Sequence, residues 1–296
     1  MKENIDLHLH SYKSDGQFSP SELVEKAVEA NLKAIALTDH DTVDGIKEAE
    51  EASKGRIFFI PGIEFSCTED DAGFPEVHVL GYFIDYRNNK LLGSLEKIKQ
   101  ERIAQKKKII DKLSGFGYEI SFDEVNSLVK GEISRVHIAK VLKTKYPDKF
   151  STGGDVFKKY ISKGRPAYVE RTHRTGIRDA IKLIDGAGGF AVLAHPGMFD
   201  EKEAIRLIEL FIQCGGRGLE IFYPYRKAYP AEGFSQADEK NKISFFLKIA
   251  EEKGLMMTGG SDFHGDIRDV EVGEMNVPFS HLEKIMKSLG KKIDNS

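Results

Sequence analysis

Short apolar runs, each ending in polar residues, recur along the chain. Seven stand out, at residues 5–7, 34–37, 57–60, 77–80, 190–194, 219–222 and 255–258. Continuous runs of this length suit strands covered on both faces. Amphipathic stretches lie between several of them. Residues 21–28 have a helical pattern and follow Pro20, which predicts Ser19 as the N-cap with Pro20 at the first helical position. Residues 204–214 stop at Gly215-Gly216, and residues 245–253 stop at Gly254, as helices do. Strands alternating with helices predict a parallel β/α architecture. Residues 95–165 break the rhythm. They open with a long polar helical pattern at 96–113, are punctuated by Gly115 and Gly117, and show helix starts at Ser121 and Ser134. Helix without strand predicts an α-helical subdomain, residues 96–165, inserted into a barrel domain made of residues 1–95 and 166–296.

The polar residues that end the apolar runs are not a random sample. His8 and His10 follow the first run, and Asp39 and His40 the second. Glu64 follows the third across the turn-like Pro61-Gly62, and His78 lies in the fourth. His195 follows the fifth, and Asp262 and His264 follow the last. Chemistry collected at strand C-termini is the pattern of barrel enzymes. His8-Leu9-His10 puts two imidazoles on one face of an extended segment, and Asp15 follows on the next loop. Imidazole with carboxylate and without thiolate suits Zn, Mn or Fe. The candidate ligands outnumber what one ion can use, so two to three divalent ions are expected, with Glu64 able to bridge them. A water shared by such ions loses a proton near neutral pH and becomes a nucleophile. Singly, each element has an ordinary explanation: Asp39 and Asp41 could cap the segment near Val43, and His195 before Pro196 could merely end a strand. Glu64 is harder to explain so, since an unpaired buried carboxylate is costly.

Composition narrows the setting. Hydrophobic residues make up 40% of the 296 and charged residues 31%, as in ordinary globular domains. The two cysteines, Cys67 and Cys214, form no C-x-x-C pair, which argues against a disulfide framework and a thiolate zinc site. No signal peptide and no membrane-length apolar run is visible, so a cytoplasmic protein with no membrane association is expected. No G-x-G-x-x-G or P-loop motif is present. The net charge of −3 hides an asymmetry: residues 96–165 hold 17 Lys+Arg against 9 Asp+Glu, +8, and the rest carries −11. A basic insert suggests an anionic ligand, although on charge alone a solvated Lys-rich helical surface is the better account.

The ordered set H-x-H, Asp15, T-D-H-D (38–41), P-G-I-E (61–64), His78, A-H-P-G (194–197) and S-D-x-H (261–264) resembles the PHP family, named for polymerase and histidinol phosphatase. The likeness spans residues 5–264 apart from the insert, with no departure at the nine usual ligand positions. It implies a distorted (β/α)7 barrel with up to three metals, usually Mn, Fe or Zn, with Mn the leading expectation. Carried over by position, one ion would sit on His8, His10, Glu64 and Asp262. A second would share Glu64 and take His78 and His195. A third would take Asp15, His40 and His264. Asp39 and Asp41 would orient imidazoles from behind. Glu64, Asp262, His264 and His195 are the residues expected to carry the chemical step. In the insert, S-R-V-H-I-A (134–139) and K-G-R-P-A-Y-V (163–169) resemble segments of stand-alone PHP phosphoesterases that act on nucleotides. Ser134 is a credible N-cap, so Arg135 and His137 fall in a first helical turn where basic groups and free N–H groups favour phosphate. Arg165 and Arg171 are further candidates, with Lys163. His173 and His281 match no motif and read as ordinary surface residues. Tyr223-Pro224-Tyr225 could stack a base or simply pack at the barrel rim.

The resemblance implies hydrolysis of a nucleotide phosphomonoester: a nucleoside 3′,5′-bisphosphate, a mononucleotide or a short RNA end. No obligate protein partner is evident. Three other readings remain open at this level. Histidinol phosphate phosphatases generally lack such an insert. Amide hydrolysis would not need the basic insert. A polymerase-accessory module need not keep a complete ligand set.

Overall fold

The computed structural model describes residues 3–129, 131, 133–170, 174–265 and 269–291. The chain divides into two compact units, Met1–Leu92 with Thr175–Ser296, and Gly93–Arg174. In chain order the elements are β1 (Asn4–Leu9), α1 (Pro20–Glu29), β2 (Ala34–Leu37), α2 (Ile46–Ser53), β3 (Phe58–Glu69), β4 (Phe74–Tyr82), α3 (Asn89–Gly115), α4 (Phe122–Ser127), α5 (Arg135–Lys145), α6 (Gly153–Val156), α7 (Ile177–Gly186), β5 (Phe190–Leu193), α8 (Glu201–Gln213), β6 (Gly218–Phe222), α9 (Tyr225–Ala228), α10 (Gln236–Lys253), β7 (Met256–Gly259), β8 (Val277–Pro278) and α11 (Phe279–Ser288).

In the first unit the strands form one sheet in the order β7-β6-β5-β4-β3-β2-β1-β8. The sheet curls nearly closed. Beyond β7 the backbone runs along β1: the Asp262 N–H donates to the His8 carbonyl at 2.9 Å and the His10 N–H to the Phe263 carbonyl at 3.1 Å. The expected α/β barrel is therefore present, with three differences from the sequence pattern. An eighth, two-residue strand, β8, pairs antiparallel with the start of β1. β4 runs antiparallel to both β3 and β5. The β3–β4 link is a single 3₁₀ turn, Asp70–Ala72, closed by Gly73 at φ 86, and so short a connection can only reverse the chain. Third, Pro61-Gly62 is not a turn. β3 continues through it, so Glu64 lies within the strand. Proline lacks only the N–H, and its carbonyl still accepts from Ile84. Gly62 is required there because a Cβ would stand 2.8 Å from the Leu37 carbonyl oxygen.

Local signals explain the helices. Ser19 and Glu22 make a capping box at the start of α1, with Pro20 at its first position. Leu23, Val24 and Ala27 of α1 pack against Ile35 and Leu37 of β2. Ala34 and Ala36 of β2 instead join Ile5, Leu7, Ile60, Leu80, Phe190 and Val192 in a second cluster, together with Leu282 and Ile285 of α11. β2 is thus buried on both faces, as its continuous apolar run requires. His281 also lies on α11 and packs on Phe222, ring centroids 5.2 Å apart, so it is more than a surface residue.

The Gly93–Arg174 unit has its own core of Ile109, Leu113, Tyr118, Val125, Ile138, Leu142, Phe150 and Ile161. Among its described residues it is helical, without strands.

Candidate metal centre

Backbone hydrogen bonds stitch the ends of neighbouring strands together and bring their polar side chains to one place. Thr38 donates its N–H to the Leu9 carbonyl at 2.9 Å. Glu64 donates to Asp39 at 3.2 Å and accepts from Asp41 at 2.9 Å. Ala194 donates to His78 at 3.1 Å. With the two bonds that join β1 to residues 262 and 263, almost every candidate ligand is one residue or less from a rung tying it to the next.

Glu64 is at the centre. Its Oε2 lies 3.2 Å from His8 Nε2, 3.1 Å from His10 Nε2 and 3.2 Å from His40 Nδ1. Its Oε1 lies 3.1 Å from His78 Nδ1 and 3.2 Å from His195 Nε2. One buried carboxylate therefore faces five imidazoles, three on one oxygen and two on the other. Asp262 Oδ1 stands 3.4 Å from His8 Nε2 and 3.1 Å from His10 Nε2. Asp15, more exposed, reaches His264 Nε2 at 3.2 Å and His40 Nε2 at 4.0 Å. His40 thus turns one ring nitrogen to Glu64 and the other to Asp15. Donor atoms lie within 4.8 Å of one another in three sets: His8, His10, Glu64 and Asp262; His40, Glu64 and His78; His10, Asp15, His40 and His264. All nine residues singled out in the sequence are brought together.

The donor set fits divalent cations better than it fits an ordinary hydrogen-bond network. His10 Nε2 and His40 Nδ1 are buried and close to carboxylate oxygens, yet neither is aligned for a hydrogen bond. Lone pairs that converge on a common point, rather than on each other, are the arrangement a cation needs. Charge balance agrees. Burial disfavours a cationic His10, but Asp262 and Glu64 outweigh it and hold its pKa up at about 9. Burial likewise opposes charge on His78, and Glu64 overrides it to about 10. Burial dominates at His40 and pushes it down to about 3. For Glu64 burial acts upward, and the His40, His8 and His78 rings hold it well below the ordinary carboxylate range. The carboxylates demand positive charge, and protons supply it where cations do not.

The backbone is held in unusual geometry here. Asp41, His195 and Asp262 have φ of 51°, 27° and 52°, in the left-handed region that costs non-glycine residues about 1–3 kcal/mol and concentrates at functional sites. Gly260, just before this turn, has no room for a side chain: a Cβ would lie 2.5 Å from the His8 Cβ.

Asp39, which the resemblance implied would orient an imidazole, makes its hydrogen bonds to the loop after β1. Asp39 accepts from the Ser11 N–H and hydroxyl at 2.7 and 2.6 Å and from the Ser14 hydroxyl at 2.7 Å. Asp41 accepts from the Ser66 N–H at 3.0 Å. They fix the loops that carry Asp15 and His40. Burial raises Asp39 to about 6. One group escaped the sequence reading. Glu220 accepts from His8 Nδ1 at 2.9 Å and from the His195 N–H at 2.8 Å. Tyr223 donates its hydroxyl to Asp262 Oδ2 at 2.6 Å, and Tyr225 accepts the Gly197 N–H at 3.0 Å. Both tyrosines are buried, so the Tyr223-Pro224-Tyr225 segment packs at the rim and holds a carboxylate. Glu220 carried a signal, a lone acid inside an apolar run.

In the second unit, Arg135 begins α5 and is exposed. His137 completes a capping box, its Nδ1 accepting the Ser134 N–H at 3.0 Å. Arg165 is exposed. Arg171 and His173 lie outside the described residues.

Comparison with known proteins identifies relatives of the chain. A family model described as the PHP domain matches residues 6–173, more than half of the chain. The chain is 35% identical over 266 residues to a 3′,5′-nucleoside bisphosphate phosphatase of Chromobacterium violaceum, covering 88% of this chain and 87% of that one. It is 34% identical over 277 residues to a 5′-3′ exoribonuclease of Haemophilus influenzae, covering 93% and 94%. A crystal structure described as a metal-dependent phosphoesterase from Bifidobacterium adolescentis superposes with a TM-score of 0.78 at 27% identity, over 99% of this chain and 98% of that one. The chain belongs to the PHP domain family and is a metal-dependent phosphoesterase.

Proposed function

We propose that the centre holds two to three divalent ions and hydrolyses a phosphomonoester of a nucleotide: a nucleoside 3′,5′-bisphosphate, a mononucleotide or the end of a short RNA. The observation that carries the metal reading is Glu64, whose two oxygens face separate groups of imidazoles. His8, His10, Glu64 and Asp262 would hold one ion, and Glu64, His78 and His195 a second. Asp15, His40 and His264 would hold a third, with Mn the first choice and Fe or Zn also suited to the donors. When bound, the ions supply Lewis acidity, neutralising phosphoryl oxygens and acidifying water. The chain's own residues hold that arrangement in place. Tyr223 fixes Asp262, Glu220 fixes His8 and His195, and Asp39 fixes the Asp15 loop.

Substrate choice rests on the relatives and on charge. The Chromobacterium and Haemophilus proteins are named for nucleotide and RNA substrates, and residues 96–165 carry +8, which favours a polyanion. Arg135, His137, Arg165 and Arg171 are the proposed phosphate contacts. With the Ser134 N–H directed at Nδ1, a neutral His137 carries its proton on Nε2 and can donate there. Among the described residues no helix is long and apolar enough to cross a membrane, and a cytoplasmic enzyme is the setting we propose. The test is phosphate release by Mn-loaded protein from nucleoside bisphosphates, mononucleotides, 5′-phosphorylated short RNA and histidinol phosphate. Preference for the nucleotides supports the proposal. Preference for histidinol phosphate, or no turnover by a folded, metal-loaded sample, overturns it.

A further inference from the structure

β6 contributes none of the nine candidate ligands, yet one of its side chains touches two of them. Glu220 is fully buried. Its Oε1 lies 2.9 Å from His8 Nδ1, and its Oε2 accepts the His195 N–H at 2.8 Å. The Nε2 atoms of the same two histidines face Glu64, His8 on Oε2 and His195 on Oε1, each at 3.2 Å. Two buried carboxylates therefore bracket the His8 ring, Glu64 in front and Glu220 behind, and Glu220 also holds the His195 backbone.

An ionised carboxylate only accepts hydrogen bonds. With Nδ1 against it, His8 keeps its proton on Nδ1, which leaves the Nε2 lone pair for a cation held together with Glu64 and Asp262. The second oxygen ties down a backbone that needs tying: His195 sits at φ 27° and ψ 55°, immediately before Pro196. Both oxygens of Glu220 are engaged by N–H donors, which leaves it a poor candidate for a ligand and a good one for a brace.

We propose that Glu220 is a positioning residue. It fixes His8 as the Nδ1–H tautomer and pins the His195 backbone, so that the two Nε2 atoms stand on opposite oxygens of Glu64, each directed at a different cation. This rests on the metal-centre reading above. It also explains why the residue is Glu and not Gln. An amide would turn an N–H toward one of two N–H donors and could satisfy only the other.

The test uses the full chain loaded with Zn, which is diamagnetic. In wild-type protein labelled with ¹⁵N histidine, long-range proton–nitrogen correlation should show His8 protonated at Nδ1. A proton on Nε2 overturns the proposal without any mutation. Glu220→Gln should weaken Zn binding, measured by competition with a chromophoric chelator, by roughly tenfold to a hundredfold, with kcat falling more than KM rises. Glu220→Asp, which keeps two acceptor oxygens on a shorter stem, should recover part of the loss. Wild-type Zn affinity in folded Glu220→Gln, even with a lowered Tm, would reduce Glu220 to a structural residue and refute the proposal. If Glu220→Gln does not fold, the wild-type tautomer decides. Should no ester be turned over by the wild-type protein, the phosphoesterase assignment fails while the Zn-affinity and tautomer readouts still judge Glu220.

Discussion

In the barrel unit five imidazoles stand within 3.1–3.2 Å of one buried carboxylate. In the Gly93–Arg174 unit the proposed phosphate contacts are of another kind: Arg135 and Arg165 are exposed, and His137 caps its own helix. The first region spends burial, backbone strain and a surrounding layer of carboxylates on holding a few atoms fixed. The second presents charge on a helical surface with a separate small core. A centre for ions needs donor atoms placed to a fraction of an ångström, whereas a phosphate clamp can work through flexible side chains on a stable helix. Changes in the barrel should therefore abolish function, and changes in the insert should grade it.

The largest effect is expected at Glu64. Removing one member of a buried charge cluster costs about 3–5 kcal/mol, roughly two to four orders of magnitude in rate if it falls on the transition state. Glu64→Ala should lose both metal and turnover. Metal analysis showing full content with normal activity would refute the bridging role.

Proton linkage comes next. His10 and His78 are raised from 6.5 to about 9 and about 10. In metal-free protein their contribution to stability is complete below pH 6.5 and lost as pH rises through 9 and 10. His40, lowered to about 3, acts oppositely, its neutral form becoming costly to keep as pH falls below 6.5. Divalent ions compete with those protons, so adding Zn or Mn at pH 7 should release protons, and metal affinity should fall in acid. A pH-stat titration with no proton release would contradict this.

How far each region could be read in the sequence follows the same division. The strand ends were legible because a barrel gathers them on one face whatever the details of the sheet, so the nine barrel residues converge even though β4 runs antiparallel and Glu64 lies inside β3. Pro61-Gly62 misled because both residues signal turns, and only the approach to the Leu37 carbonyl shows why glycine is there. Glu220 was passed over because its partners, His8 and His195, are distant in the chain, although the cost of a lone acid in an apolar strand already singled out Glu64. In the insert, sequence shows charge and caps, but no periodicity tells which exposed lysine or arginine meets a ligand.

Smaller effects sharpen the insert side. Arg135→Ala should leave the metals bound and cost about 1.5–3 kcal/mol on nucleotide substrates, a tenfold to hundredfold fall in kcat/KM at about 1.4 kcal/mol per decade. Arg135→Lys should recover part of it. p-Nitrophenyl phosphate should suffer less, and equal loss on both substrates, or none on either, would return Arg135 to a plain surface charge. Ser134→Ala should be mildest. Its hydroxyl accepts the His137 N–H at the start of α5, and losing such a cap costs about 0.5–2 kcal/mol of local stability. Faster hydrogen exchange in α5 with metal content unchanged is expected, and unchanged exchange would show that the cap contributes little.

The most direct test of the metal-centred account is to strip the protein with a chelator, restore Mn in steps, and follow bound metal and phosphate release together. Two to three Mn per chain, with turnover absent after stripping and returning as they are restored, is the predicted result. Full turnover in stripped protein, or saturation at a single ion with full activity, would contradict it.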